Sequence, residues 1–231
     1  MALVISITKG SIPAPQVVSP TTVVNKSGNA RALAYTLPII TVDLTGVSFK
    51  QRAATGGSEF AFDFGTLKIS LRQEVYIASD LTACEQRKWG DHERGHVNDN
   101  RHIMDDLETE MMKYGIMQDV FVNGSWYPRS DFNLIQTLIR EDVGNAFRAL
   151  EAVKVAAHDT PAEYSRVARA ILRDCPGPIR YTIQRGDTLS AIAKHYYGAA
   201  SKWKKIHDAN VGVLGTNPHM IRAGVTIVIP K

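Results

Sequence analysis

Between Trp89 and His102 the chain reads His92-Glu93-x-x-His96. On a helix, residues four apart lie on one face. His92 and His96 can therefore offer two neutral imidazoles to one divalent ion, and Zn2+ suits that pair. Glu93, the next residue along, can reach a metal-bound water and act as its general base. Catalytic zinc takes a third protein ligand, and three candidates compete for that place. His102 continues the pattern at positions 1, 5 and 11, but reaches the metal only if the chain turns at Asn98, Asp99 and Asn100. Asn and Asp tolerate the left-handed conformation such a turn needs. On an unbroken helix His102 points about 80° away from His92 and cannot ligate. An acid, Glu108 or Glu110, also needs a break in the helix. His158, followed by Asp159, needs only that a distant loop come close. The spacing puts His102 first, with His158 and Glu108 as the alternatives.

The elements that must position these residues follow from pattern. Residues 1–35, with Pro13, Pro15 and Pro20, read as an extended arm or short edge strands. Ile39 to Leu44 reads as a strand, and Gly56-Gly57-Ser58 as a turn. Apolar residues alternate at Phe60, Phe62 and Phe64, then at Leu67, Ile69, Leu71, Val75 and Ile77, which predicts a hairpin turning near Gly65-Thr66. Helix formers dominate from Leu81 to Tyr114, with Thr82 and Glu85 spaced as a capping box and Gly115 as the stop. Further helices carry Leu134 to Val153, and Val167 to Leu172 behind Thr160-Pro161.

Strands, a His-Glu helix and further helices over 36–175 resemble a zincin-type metallopeptidase, on the strength of His92-Glu93-x-x-His96. The resemblance implies a zinc cofactor and hydrolysis of a peptide bond in a peptide or protein substrate, with Glu93 as general base and zinc-bound water as nucleophile. It implies that the strand over 67–77 offers an edge to an extended substrate. The metzincin pattern has Gly where this chain has Asp99, and Met117 is the candidate for its Met-turn. Tyr114, Tyr127, Arg129 and Tyr164 are possible donors to an oxyanion.

After a linker over 176–180 the chain changes character. Tyr181-x-x-x-x-Gly186-Asp187-Thr188-Leu189-Ser190-x-Ile192-Ala193 is followed by Trp203, Asn210 and a terminal Ile227-x-Ile229-Pro230. This resembles a LysM module over 181–231. The resemblance implies a β-α-α-β fold that binds N-acetylglucosamine polymers such as peptidoglycan or chitin. Its groove would lie between the loop carrying Gly186, Asp187, Thr188 and Leu189 and the loop carrying Pro218, His219, Met220 and Ile221. The same residue types also serve capping and core packing.

The expected fold class is α+β: a zincin-like domain of antiparallel strands, the His-Glu helix and further helices, then a small LysM domain. A net charge of +4 on 231 residues is mild, and Lys202-Trp203-Lys204-Lys205 reads as a solvated helix face, which argues against nucleic acid. A basic surface does suit an anionic cell wall. Cys84 and Cys175 form no Cys-x-x-Cys pair; two free buried thiols are the favoured reading and a disulfide between them is the alternative. The first nine residues lack the basic start and apolar length of a signal peptide, and no stretch reaches a membrane span. The chain is then expected to be made in the cytoplasm and delivered to the cell wall or periplasm. The alternative is a structural LysM protein of a phage tail or contractile injection particle, assembled with the other proteins of that particle.

Overall fold

The computed structural model describes residues 3–29 and 32–231. Met1, Ala2, Ala30 and Arg31, part of the arm expected over 1–35, lie outside the described residues. In chain order the elements are β1 (Leu3–Thr8), β2 (Gln16–Val18), α1 (Pro20–Ser27), β3 (Ala34–Asp43), β4 (Val47–Ala54), β5 (Gly57–Ala78), α2 (Ala83–Met111) and α3 (Gly115–Gln118). After a π-helical turn come β6 (Tyr127–Pro128), α4 (Phe132–His158), α5 (Pro161–Asp174), β7 (Ile179–Thr182), α6 (Leu189–Tyr197), α7 (Trp203–Ala209), α8 (Val211–Leu214) and β8 (Thr226–Ile229). The architecture is mixed helix and strand. No helix among the described residues is long and apolar enough to cross a membrane.

The chain divides into two compact units. The first comprises Met1–Ala14, Thr36–Val75 and Arg94–Ala157. Its spine is β5, which pairs antiparallel with β4 and β6, parallel with β1, and also with β3. The strand pattern expected from Leu67 onward holds, because Leu67, Ile69, Leu71, Gln73 and Val75 are buried while Lys68, Ser70 and Arg72 are exposed. The hairpin expected at Gly65-Thr66 does not form. The turn comes at 55–56, and β5 runs on through Gly65. Gly65 has φ +120°, and a Cβ there would lie 2.1 Å from the Gly46 carbonyl oxygen. This glycine lets the two backbones come close, at a register shift between Ser48 and Phe49. Nor is the whole of the 67–77 strand an edge. Within this unit β1 occupies the flank of β5 from Gly65 to Ser70, so that ladder cannot accept a substrate strand as expected. The all-antiparallel expectation is likewise corrected, since β1 pairs parallel.

The core of this unit packs Phe60, Leu67, Ile69 and Leu71 against Ile103, Met104, Leu107 and Met111 of α2 and Ile135, Ile139 and Val143 of α4. A fully buried side chain of this size contributes about 1.5–3 kcal/mol. A pair of bonded polar side chains is buried beside it. Asn100 Nδ2 donates to Gln73 Oε1 at 3.0 Å, and Gln73 Nε2 donates to the Val97 carbonyl at 3.1 Å.

The second unit comprises Pro15–Tyr35, Tyr76–Glu93 and His158–Lys231. Residues 20–27 form a helix the proline-rich pattern did not suggest. Ser19 caps it through the Thr22 amide, Pro20 sits where a missing N–H costs nothing, and Gly28 closes it at φ +68°. The start of α2 carries the expected capping box: the Thr82 amide donates to Glu85 Oε2 at 2.7 Å and the Glu85 amide to Thr82 Oγ1 at 3.3 Å. The expectation of free thiols is overturned, because Cys84 and Cys175 form a disulfide with a Cα–Cα distance of 5.5 Å. A separation of 91 residues hides such pairing from sequence, since only the packing of α5 on α2 brings the two together. Disulfides persist in oxidising compartments.

In this unit β7, α6, α7 and β8 follow the expected β-α-α-β order with one short helix, α8, added between α7 and β8, and β7 and β8 are antiparallel from Ile179↔Ile229 to Thr182↔Thr226. Leu189, Ile192, Ala193, Ile206, Ile227 and Ile229 are buried in one cluster with Trp89 of α2 and Val167 and Ile171 of α5. The C-terminal segment thus shares a core with the helices beside it.

Candidate metal centre

Helix α2 is unbroken from Ala83 to Met111. Asn98, Asp99 and Asn100 therefore make no turn. Asn100 faces inward to Gln73, on the same stripe as Val97, Ile103 and Leu107. On a straight helix His92 and His96 share a face and His102 does not. His102 and Glu108 are exposed on the outer surface of α2, and Glu110 pairs with Lys113. Among the described residues, the histidines brought together are His92, His96 and His158, each offering one ring nitrogen within 4.8 Å of the others. The third histidine is thus His158, the last residue of α4 and not a loop residue, rather than the one in sequence register.

Three imidazoles form a donor set that fits zinc. Zn–N bonds of 2.0–2.1 Å in a tetrahedron require nitrogens about 3.3 Å apart, so small side-chain rotations from the observed spacing suffice. The surroundings also suit metal-binding histidines, whose second ring N–H needs an acceptor. Asp159 Oδ1 lies 3.4 Å from Nε2 of His92 and Glu163 Oε1 lies 3.8 Å from Nδ1. One ring nitrogen can ligate while the other faces a carboxylate. Glu151 of α4 supplies the negative charge felt by His96; burial raises the Glu151 pKa, and His96 and then Arg148 act against that rise.

His92 is 4% exposed and lies against aromatic rings: Trp89 at 5.8 Å, His158 at 5.0 Å and Tyr164 at 5.4 Å between centroids. Glu93 is equally buried. Of the four possible oxyanion donors, Tyr164 lies beside His92. Burial raises its pKa well above the ordinary value for a phenol, and Asp159 and Glu93 add to the rise. It remains protonated at neutral pH, with its hydroxyl hydrogen-bonded to Asp159. Tyr127 and Arg129 belong instead to an aromatic cluster with Phe60 and Phe132 in the first unit. Met117 is fully buried in that unit's core. Sequence reasoning missed Glu151 and Glu163. The signal available for Glu163 was its place in the first turn of the helix that follows His158.

The C-terminal groove candidates divide by role. Thr188 caps α6, accepting from the Ala191 amide at 3.1 Å, and Leu189 is buried in the core. Asp187 accepts from the Tyr181 hydroxyl at 2.6 Å and the Gln184 amide at 2.7 Å, across a loop in which Gly186 has φ +88°. Asn210 ties α7 to β8, donating to the Val228 carbonyl and accepting from the Val228 amide, both at 2.7 Å. In the second loop His219 and Met220 are exposed and Pro218 and Ile221 half-buried.

Comparison with known proteins adds a family for this segment alone. Residues 181–230 match the LysM domain. An uncharacterized protein of Deinococcus radiodurans is 44% identical over 55 residues, which is 23% of this chain and 20% of that protein. The potassium binding protein Kbp of Escherichia coli O6:H1 is 45% identical over 51 residues, 22% of this chain and 34% of that protein. The chain thus spans about a third or less of the length of these relatives. No solved structure matches the chain. The C-terminal segment is a LysM domain, a module suited to peptidoglycan and other N-acetylglucosamine polymers, and it points to association with the cell wall.

Proposed function

We propose that the chain is a zinc-dependent peptidase that works at the bacterial cell wall, where its LysM domain holds it on peptidoglycan. The observation that carries this reading is the convergence of His92, His96 and His158 within 4.8 Å, with Glu93 on the same helix. Three imidazoles and a neighbouring carboxylate form the set that metal-assisted hydrolysis requires. A zinc ion, when bound, supplies a Lewis acid that polarises a carbonyl and makes water acidic enough to attack near neutral pH.

The chain's own residues do the rest. His92, His96 and His158 would hold the ion. Glu93, buried beside them, takes the proton from the attacking water and passes it to the leaving amine. Tyr164 stays a phenol, and turning its hydroxyl away from Asp159 would let it donate to the oxygen on which charge develops. The carboxylate that faces the nitrogen of His92 not on the ion, Asp159 or Glu163, orients its ring. Burial of Trp89, His92 and Glu93 keeps bulk water from weakening these interactions. The LysM domain raises the effective concentration of wall-linked peptide at the site, which favours a peptidoglycan stem peptide or a wall-associated protein as substrate.

The test is hydrolysis of peptidoglycan and of peptide libraries by zinc-loaded protein, beside Glu93→Gln. Cleavage that is lost in the variant supports the reading, and equal cleavage by both overturns it. Retention of the full chain on peptidoglycan tests the LysM role. Failure to bind any N-acetylglucosamine polymer would favour an assembly function for that domain.

A further inference from the structure

The first half of α2 and the whole of α5 run past each other in opposite directions. Cys84, in the first turn of α2, is bonded to Cys175, the residue after α5. Four residues on, Lys88 Nζ donates to Asp174 Oδ2 at 2.7 Å. Next Trp89 meets Tyr164, with ring centroids 6.2 Å apart. Then His92 meets Tyr164, Glu163, Asp159 and His158. Numbers rise on one helix as they fall on the other. Positions 84, 88 and 92 drift by only about 40° per step, so one stripe of α2 carries the disulfide, the ion pair and the first metal ligand.

The contacts between the two ends of this zipper differ in what they fix. The apolar contacts of Trp89 with the α5 side are non-directional, so packing alone sets position along them. The Lys88–Asp174 pair is partly exposed and weak. The covalent bond fixes position. Helix α5 is 14 residues long, about 21 Å at 1.5 Å per residue, and its far end follows directly on His158 and Asp159. A slip of one helical turn at Cys175 would carry those residues about 5.4 Å from His92, enough to open the cluster.

We propose that Cys84–Cys175 is a redox latch for the metal centre: the bond sets the register of α5 on α2, so the three histidines close when it is oxidised and separate when it is reduced. This rests on the metal-centre reading above. Reduction by a dithiol transfers two electrons and two protons to the bond, leaving two thiols and an oxidised dithiol. Closure requires the reverse exchange with a disulfide oxidant, of the kind that operates outside the reducing cytoplasm. Cys84 is partly exposed whereas Cys175 is buried, so a reductant approaches from the Cys84 side. The latch keeps the site weak where the chain is made and closes it where the LysM domain meets its glycan.

The test measures zinc affinity of the full chain by competition with a chromogenic chelator. Oxidised protein is compared with protein reduced by dithiothreitol, alkylated with iodoacetamide and desalted, so that no thiol competes for zinc. The Cys84→Ser, Cys175→Ser double variant repeats the comparison without alkyl groups. The expected result is affinity weaker by at least about tenfold in both opened forms, as for displaced metal-site geometry, with retention on peptidoglycan unchanged. Equal affinity in oxidised and opened protein overturns the latch and leaves the metal centre standing. No zinc binding by oxidised protein overturns the metal centre and the latch with it. Hydrogen exchange separates a latch from a general staple. Faster exchange confined to 158–166 supports the latch, whereas faster exchange that extends through β7 and β8 overturns it.

Discussion

Asn100 of α2 and Gln73 of β5 are bonded to each other inside the core of the first unit, Nδ2 to Oε1 at 3.0 Å, and the same Gln73 reaches the Val97 carbonyl. This pair explains why a run of Asn and Asp that could turn the chain instead stays helical. The amide that a break would need as its cap is spent on the neighbouring strand. The straight helix that results separates His102 from His92 and leaves the third place to His158.

Replacing Asn100 with Leu should leave the Gln73 carboxamide buried with a lost partner. The expected cost is about 1–3 kcal/mol, read as a lower denaturation midpoint with an unchanged slope. Replacing both Asn100 and Gln73 with Leu should recover part of that loss, because removing both polar partners is less costly than orphaning one.

Glu93→Gln should keep the metal and lose the chemistry. The variant is expected to bind zinc about as tightly as the parent, while peptide hydrolysis falls by roughly 10²–10⁴-fold, the usual contribution of a positioned general base. A variant that loses zinc as well would assign Glu93 to metal binding rather than proton transfer.

The disulfide should also stabilise the chain. Cys84→Ser with Cys175→Ser is expected to cost about 2–4 kcal/mol in thermal or denaturant unfolding, and a smaller effect would mean that reduced chains already keep the two segments close.

Stability should depend on pH through His195. Its Nδ1 lies 3.2 Å from Ser165 Oγ. Burial lowers its pKa below the ordinary 6.5, Arg169 lowers it further, and Asp187 opposes the fall. The folded state thus binds this proton less readily than the unfolded one, so the contribution is complete above about pH 6.5 and is lost as pH falls towards the lower folded value. His195→Gln should flatten this part of the stability curve. An unchanged slope between pH 7 and 5 would remove His195 from the account.

What could be read in the sequence was local. The capping box at Thr82 and Glu85, the shared face of His92 and His96, and the β-α-α-β order of the C-terminal domain each depend on residues close along the chain. The features that were hidden depend on distant contacts. Cys84 finds Cys175, and His92 finds His158, only because α5 packs antiparallel on α2. Gly65 looked like a turn residue, since glycine marks turns and close backbone approaches alike, and only its partner strand distinguishes them. Helix α1 was masked by Pro20, which reads as a breaker but sits at the one helical position that favours it.

The most direct measurement is zinc binding by the oxidised full chain and by two histidine variants, His158→Ala and His102→Ala, using elemental analysis and chelator competition. The account predicts one zinc ion per chain in the parent and in His102→Ala, and affinity weakened by at least about a hundredfold in His158→Ala, the loss expected when a ligand itself is removed. No zinc in the parent, or zinc that survives His158→Ala and is lost in His102→Ala, would contradict it.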